Sequence, residues 1–222
     1  DKWQEIFTTL RRHKLRTLLT VFGVFWGIFL LVTILGFLKG VEKGVFDQFS
    51  RSATNRFNMW GRATRIPYKG LNPGRWIRFT NDDIEAIRQN IPEARYVNAN
   101  VSLWGQYTTS YNNKSGSFPV QGVLAEFIKV RYLEITRGRF LNVPDIEGRR
   151  KVAVIGRQGE KVLFGQEDPT GKYITIKGVL FQVVGVFDVV GFGSSERDTE
   201  QIYIPLSTLQ RTFNQGNYVG WL

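Results

Sequence analysis

Leu18–Leu38, LLTVFGVFWGIFLLVTILGFL, decides the reading of this chain. It runs for about 21 residues without a charge, which as an α-helix measures about 31 Å, close to a bilayer's hydrocarbon thickness. Cleavable secretory signals carry a shorter apolar core followed by a small-residue cleavage site. Here the first alanine downstream is Ala53, and no such site follows. Helices buried in soluble proteins are seldom apolar on every side for so long. The run predicts an uncleaved transmembrane helix over 18–38.

The flanks set its surroundings. Residues 1–17 place Trp3, Ile6, Phe7 and Leu10 on one helical stripe, with Gln4, Glu5, Arg11 and Arg12 on other faces. A tryptophan-bearing stripe with a basic remainder predicts an amphipathic helix in the headgroup plane, one that can also touch a cytoplasmic protein. Arg11, Arg12, Lys14 and Arg16 crowd the N-terminal side of the run, where they contact anionic lipid headgroups. Lys39 and Lys43 beyond it are partly offset by Glu42 and Asp47. The positive-inside rule then puts the N-terminus in the cytoplasm and everything after Gly40 outside, in a plasma (inner) membrane. Gly23 and Gly27 form one G-x-x-x-G pair, and Gly36, Gly40 and Gly44 a second series. Small residues at this spacing let helices approach closely, so Gly23 and Gly27 are expected to pack on a neighbouring helix.

Composition bounds the remainder. Of 222 residues, 42% are hydrophobic and 22% charged, which describes an ordered, core-forming protein. The chain has no cysteine, so no disulfide or thiolate metal site is available, and His13 alone cannot build a histidine metal site. The net charge of +11 could serve nucleic acid or an anionic surface. Its cations are scattered and accompany no recognised nucleic-acid motif, so no nucleic acid partner is expected.

The rest of the chain divides into 39–56, a helix extension and linker, and 57–222, a domain. A strand is expected near Phe57–Trp60, and Pro67, Gly70, Pro73 and Gly74 mark a loop over 66–74. TNDDIEAIRQNIPEA reads as a helix capped by Thr80 or Asn81, favoured by Asp82 and Asp83 at its start and stopped by Pro92. Tyr96–Val123 shows strands broken by a hairpin loop at 112–116. Val152–Ile155 reads as a buried strand, followed by a helix with Val162, Leu163 and Phe164 inward. Tyr173–Ile176 pairs with Leu180–Phe187 through a turn at Lys177-Gly178. Residues 188–200 read as a polar loop, 201–204 as a last strand, and Ser207 as the cap of a short helix. Strands and short helices mix without βαβ alternation, so the domain is α+β.

Catalytic motifs are missing. No G-x-x-x-x-G-K-[ST] occurs, so this chain does not hydrolyse ATP by a P-loop. Gly191-Phe192-Gly193 lacks the third glycine of a dinucleotide fingerprint. One histidine and no cysteine exclude His–Cys sites and weigh against a Ser–His triad. Glu196, Asp198 and Glu200 share a loop with Arg197 and read as solvated charge, although composition leaves carboxylate-only chemistry open. The chain is read as no enzyme.

The residues also carry a family pattern. Lys14-Leu15-Arg16-Thr17-Leu18-Leu19-Thr20 leads into the glycine-bearing apolar run. Then come Val120-Gln121-Gly122-Val123, Gly138-Arg139-Phe140 with Asp145, Lys151–Gly156, Leu163-Phe164-Gly165 and Asp168–Lys172. Phe181–Val186 and Ile202-Tyr203-Ile204-Pro205-Leu206 complete the order. Together they resemble a MacB-type (MacB/FtsX-like) ABC transporter permease over nearly the whole chain. The resemblance implies an interfacial helix, a first membrane helix and an extracytoplasmic α+β core domain, here a truncated fragment of a longer permease. It further implies mechanical transmission of ATP-driven motion for export or envelope transport, with ATP bound on a separate ATP-binding subunit and no cofactor in this chain. Expected partners are that subunit, a second permease copy or paralogue, membrane lipid, and a periplasmic adaptor or envelope partner. Gly171, Gly178 and Gly185 are expected to shape turns and strands. The alternative is a single-pass membrane-anchored binding or sensor module.

Overall fold

A computed structural model describes residues 14–50, 57–103, 105, 107–131, 133–189 and 196–222. The chain falls into two units, 1–50 and 51–222.

The first is helix α1, Lys14–Ser50, unbroken over 37 residues. Its apolar stretch, Lys14–Val41, buries none of its side chains within the protein. Thr20 and Thr33 turn their hydroxyls back onto the carbonyls of Arg16 and Phe29, at 2.9 and 2.7 Å. Inside a bilayer that leaves neither hydroxyl without a partner.

The second unit is built on a nine-stranded mixed sheet. Its organising strand is β9 (Val179–Val189), whose first half pairs with β8 (Tyr173–Ile176) and second half with β6 (Leu133–Gly138). Along its other edge β9 runs parallel to β7 (Val152–Gly156). The sheet continues through β10 (Ile202–Pro205), β5 (Val120–Val123) and β2 (Asn100–Ser102) on one side. On the other it continues through β3 (Tyr107–Tyr111) and β4 (Lys114–Phe118). Every residue of β7 and β10 is buried, as strands covered on both faces require. One face packs Ile155, Ile174, Phe181, Val183 and Ile202 with Leu163 and Leu209 from helices. The opposite face packs Phe127, Phe140, Phe187 and Tyr203 in mutual ring contact. Both clusters draw only on residues of the second unit, which therefore carries a complete core of its own.

Helices cover the sheet. α2 (Asn81–Asn90) starts at Thr80, whose amide donates to Asp83 Oδ2 at 2.7 Å, so Asp83 of the acidic pair closes the cap. α3 (Phe127–Val130) and α4 (Val143–Glu147) follow, then α5 (Arg157–Leu163) and α6 (Leu206–Thr212). Two short strands, β1 (Phe79–Thr80) and β11 (Tyr218–Val219), pair separately.

Several expectations change. Ser207 does not cap α6; Pro205 holds that position, and the Ser207 hydroxyl donates instead to the Ile146 carbonyl. Val162 is 39% exposed while Leu163 and Phe164 are buried, because the helix turns only the latter inward. No strand forms at 57–60: Trp60 makes an isolated bridge to Trp221, and Met59 exchanges backbone bonds with Leu222. The supposed loop over 112–116 is a two-residue turn, since Tyr111 and Lys114 already pair. Within 188–200, β9 runs to Val189 and a 3-10 turn occupies Glu196–Glu200, where Asp198 pairs with Arg131 at 3.0 Å.

Candidate functional site

Three features outside the core could act: helix α1, a buried ion cluster, and an exposed ribbon. Along α1, Lys14 and Arg16 stand exposed before the apolar stretch, whereas Trp3, Ile6, Phe7, Leu10, Arg11 and Arg12 lie outside the described residues. Phe22, Trp26 and Phe29 stack in sequence along one side, at 6.1 and 5.4 Å between centroids. Gly23 and Gly27 share another side, and a Cβ on either would meet nothing within 4 Å. Gly36 and Gly40 are as open, but helical geometry sets them roughly opposite the first pair, so the two glycine pairs do not form one seam.

The motif Gly138-Arg139-Phe140 with Asp145 becomes a latch. Asp145 is fully buried, held by Arg139 through both carboxylate oxygens at 2.5 and 3.2 Å and by Arg150 at 3.4 Å. Its carboxylate also accepts the Asn142 amide at 3.1 Å and so helps to cap α4. Burial alone would push this carboxyl up; the Arg139 guanidinium, the Asn142 amide and Arg150 outweigh it and hold it below the usual carboxylate range. The latch depends on a close backbone crossing. Gly138 has φ +67°, and a Cβ there would sit 2.2 Å from the Val184 carbonyl; one on Gly185 would sit 2.2 Å from that of Arg139. The latch's bonds tie Arg139, Arg150 and the start of α4 together, so it positions the chain. Nearby, burial raises the Tyr203 phenol to about 12, which keeps it neutral.

Residues 61–78 form the third feature, a β-ribbon whose middle, 66–74, reads as a loop in the sequence. Ala63 bridges Trp76, Tyr68 bridges Leu71, and Thr64 and Ile77 donate to the Arg75 and Arg62 carbonyls. All four pairs keep one register. Pro67 and Pro73 have no N–H to give, which interrupts the ladder between them. The tip turns on Lys69 and Gly70, at φ +49° and +79°, the signature of a type I′ turn.

Among the described residues, clefts open beside the ribbon and between helices. One, of about 700 Å³, lies beside the ribbon, lined by Trp76, Phe79, Tyr218 and Trp221 with Arg78. The other, of about 380 Å³, lies between α2, α4 and α6, with Asp82, Glu85, Glu126 and Glu147 about an apolar floor. Among the described residues, no three His, Cys, Asp or Glu side chains gather to hold a metal.

The fold has known counterparts. The periplasmic region of MacB from Actinobacillus actinomycetemcomitans matches with a TM-score of 0.59 and 22% identity, over 78% of this chain and 74% of that one. The extracellular domain of the noncanonic ABC-type transporter YknZ from Gram-positive bacteria matches at 0.58 and 20%, over 74% and 81%. In sequence, the macrolide export ATP-binding/permease protein MacB of Chlorobaculum tepidum is 30% identical across 97% of this chain and 34% of its own length. That of Wolinella succinogenes is 29% identical across 91% and 30%. The chain thus spans about a third of the curated relatives it matches. The family model of the MacB-like periplasmic core domain matches residues 17–221. An apolar helix leading into a domain of this kind makes a membrane-anchored protein with an extracytoplasmic domain. The chain belongs to the MacB-like periplasmic core domain family.

Proposed function

We propose that this chain is part of an ABC transporter permease that transmits ATP-driven motion mechanically across the membrane to its α+β domain. The unbroken helix α1 carries the reading. An apolar anchor needs only about 20 residues, yet this helix continues to Ser50 without a break. At 1.5 Å per residue it is a rod of about 55 Å. A rod that outlasts the hydrocarbon region suits the transfer of force, whereas a simple tether needs none of that extra length.

A second observation agrees. Met59 and Leu222 exchange backbone hydrogen bonds at 2.8 and 2.9 Å, so the chain near the start of the domain lies beside Leu222. Such a domain can be set between two membrane helices without disturbing either. On this reading the N-terminus is cytoplasmic, and a separate subunit binds and hydrolyses ATP. The functional unit contains two permease copies or paralogues, and an adaptor or envelope partner receives the domain's motion. The basic residues at 11–16 hold the inner boundary, and Gly23 and Gly27 seat a neighbouring helix.

Affinity purification of the full-length protein from its native membrane tests this. It should bring down an ATP-binding subunit whose hydrolysis depends on the permease. Recovery of no ATPase after crosslinking contradicts the proposal and favours a single-pass sensor.

A further inference from the structure

The base of the ribbon at 61–78 meets the domain, Arg78 lying 5.3 Å over the Tyr218 ring, while the rest of it stands in solvent. Its side chains from Arg65 to Arg78 are all exposed, on both faces, including Ile66 at 79%, Tyr68 at 67% and Trp76 at 66%. A two-stranded ribbon open on both sides is marginal in water, so these apolar groups are placed for a partner. The charge along it is one-sided. Residues 57–80 contain Arg62, Arg65, Lys69, Arg75 and Arg78 and no Asp or Glu.

We infer that the ribbon is a membrane-interface finger, which inserts Tyr68, Ile66 and Trp76 among the anionic headgroups of the bilayer that α1 spans. Two observations select lipid over protein. Exposed Trp and Tyr set among Arg and Lys make the composition of a membrane–water boundary, where rings sit at headgroup level and cations meet phosphate. The apolar groups lie on both faces of the ribbon; a rigid protein surface covers one, and a fluid boundary wets both. The same positive charge disfavours burial against the ribbon of a second copy. This inference stands apart from the transport mechanism, since an anchored sensor could use the same finger.

The absence of cysteine makes the test direct. Tyr68→Cys and, as a control on an equally exposed ring, Tyr173→Cys are labelled with a polarity-sensitive fluorophore in the full chain. Each is reconstituted in phosphatidylcholine vesicles with and without phosphatidylglycerol, using brominated acyl chains as quenchers. The label at 68 should be quenched and that at 173 not, with quenching that rises with phosphatidylglycerol. Each cation near such a surface is worth a factor of about five, so changing Arg62, Arg65 and Arg75 to Gln should shift the docked-to-free ratio about a hundredfold. Circular dichroism should show an unchanged fold in that variant. Equal quenching at both positions overturns the inference. So does a blue shift at 68 that grows with protein density and resists the brominated lipid, because a second chain would then cover the ribbon.

Discussion

Two hairpins in this domain turn on the same dipeptide. Lys69-Gly70 has φ +49° and +79°; Lys177-Gly178 has φ +49° and +81°. The local chemistry is identical and the outcomes differ. Around the second turn, Ile174, Ile176, Phe181 and Val183 are completely buried, because β7 and β3 flank the hairpin and one core cluster covers its inner face. Around the first, Ile66, Tyr68 and Trp76 remain in solvent, because among the described residues no third strand joins the ribbon. A turn motif can specify a hairpin. Whether that hairpin becomes core or recognition surface is decided by what lies beside it.

Substitutions in the two hairpins should therefore separate widely. Phe181→Ala empties a fully buried position and should cost about 3–5 kcal/mol, read as a drop in the domain's denaturation midpoint. A loss under about 1 kcal/mol would mean that the second hairpin is not held by its core.

The latch that closes the sheet beyond β9 ranks next. Asp145→Ala removes charged hydrogen bonds and part of the α4 cap, for about 2–3 kcal/mol. Its pH dependence has a definite sign. The folded-state carboxyl lies below its unfolded value, so its stabilisation is complete above the ordinary carboxylate range and is lost as pH falls through the folded value. The wild-type midpoint should fall more steeply than that of Asp145→Ala below about pH 4, and the two should run parallel from pH 7 to 5. Parallel acid limbs would show that the carboxylate is not held by its arginines.

The turns themselves give the sharpest contrast. Gly178→Ala forces a side chain into left-handed backbone and should cost the domain about 1–2 kcal/mol. Gly70→Ala carries the same strain but should leave the domain's midpoint within about 0.5 kcal/mol, since only the ribbon opens. Equal losses would make the ribbon an integral part of the fold. Smallest of all, Trp76→Ala should move the midpoint by less than about 0.5 kcal/mol while reducing lipid quenching at position 68.

The same contrast explains what the sequence discloses. Helix α1 is legible because a bilayer demands a long uncharged run, and Thr80–Asp83 because a cap is local. Lys177-Gly178 reads as a turn because apolar alternation flanks it. Lys69-Gly70 is hidden by Pro67, Pro73 and Gly74, which read as breakers although the register passes through them. Strand β6 escapes notice because LEITRG is short, charged and irregular, and its pairing is set by the distant Gly185. The Arg139–Asp145 latch is visible as a motif, but its burial depends on the whole sheet closing over it. The ribbon's partner-facing character needs side-chain exposure, which no local pattern supplies.

The mechanical reading of α1 is tested most directly by measuring spin-label distances between paired permease copies at Tyr173→Cys, with and without ATP, beside a Val41→Pro variant. Proline at position 41 breaks the rod at the end of its apolar stretch. If α1 transmits motion, ATP should change the distance in the unbroken protein. In Val41→Pro the change should vanish while the partner subunit still hydrolyses ATP. An ATP-driven change that survives the broken helix would contradict the account.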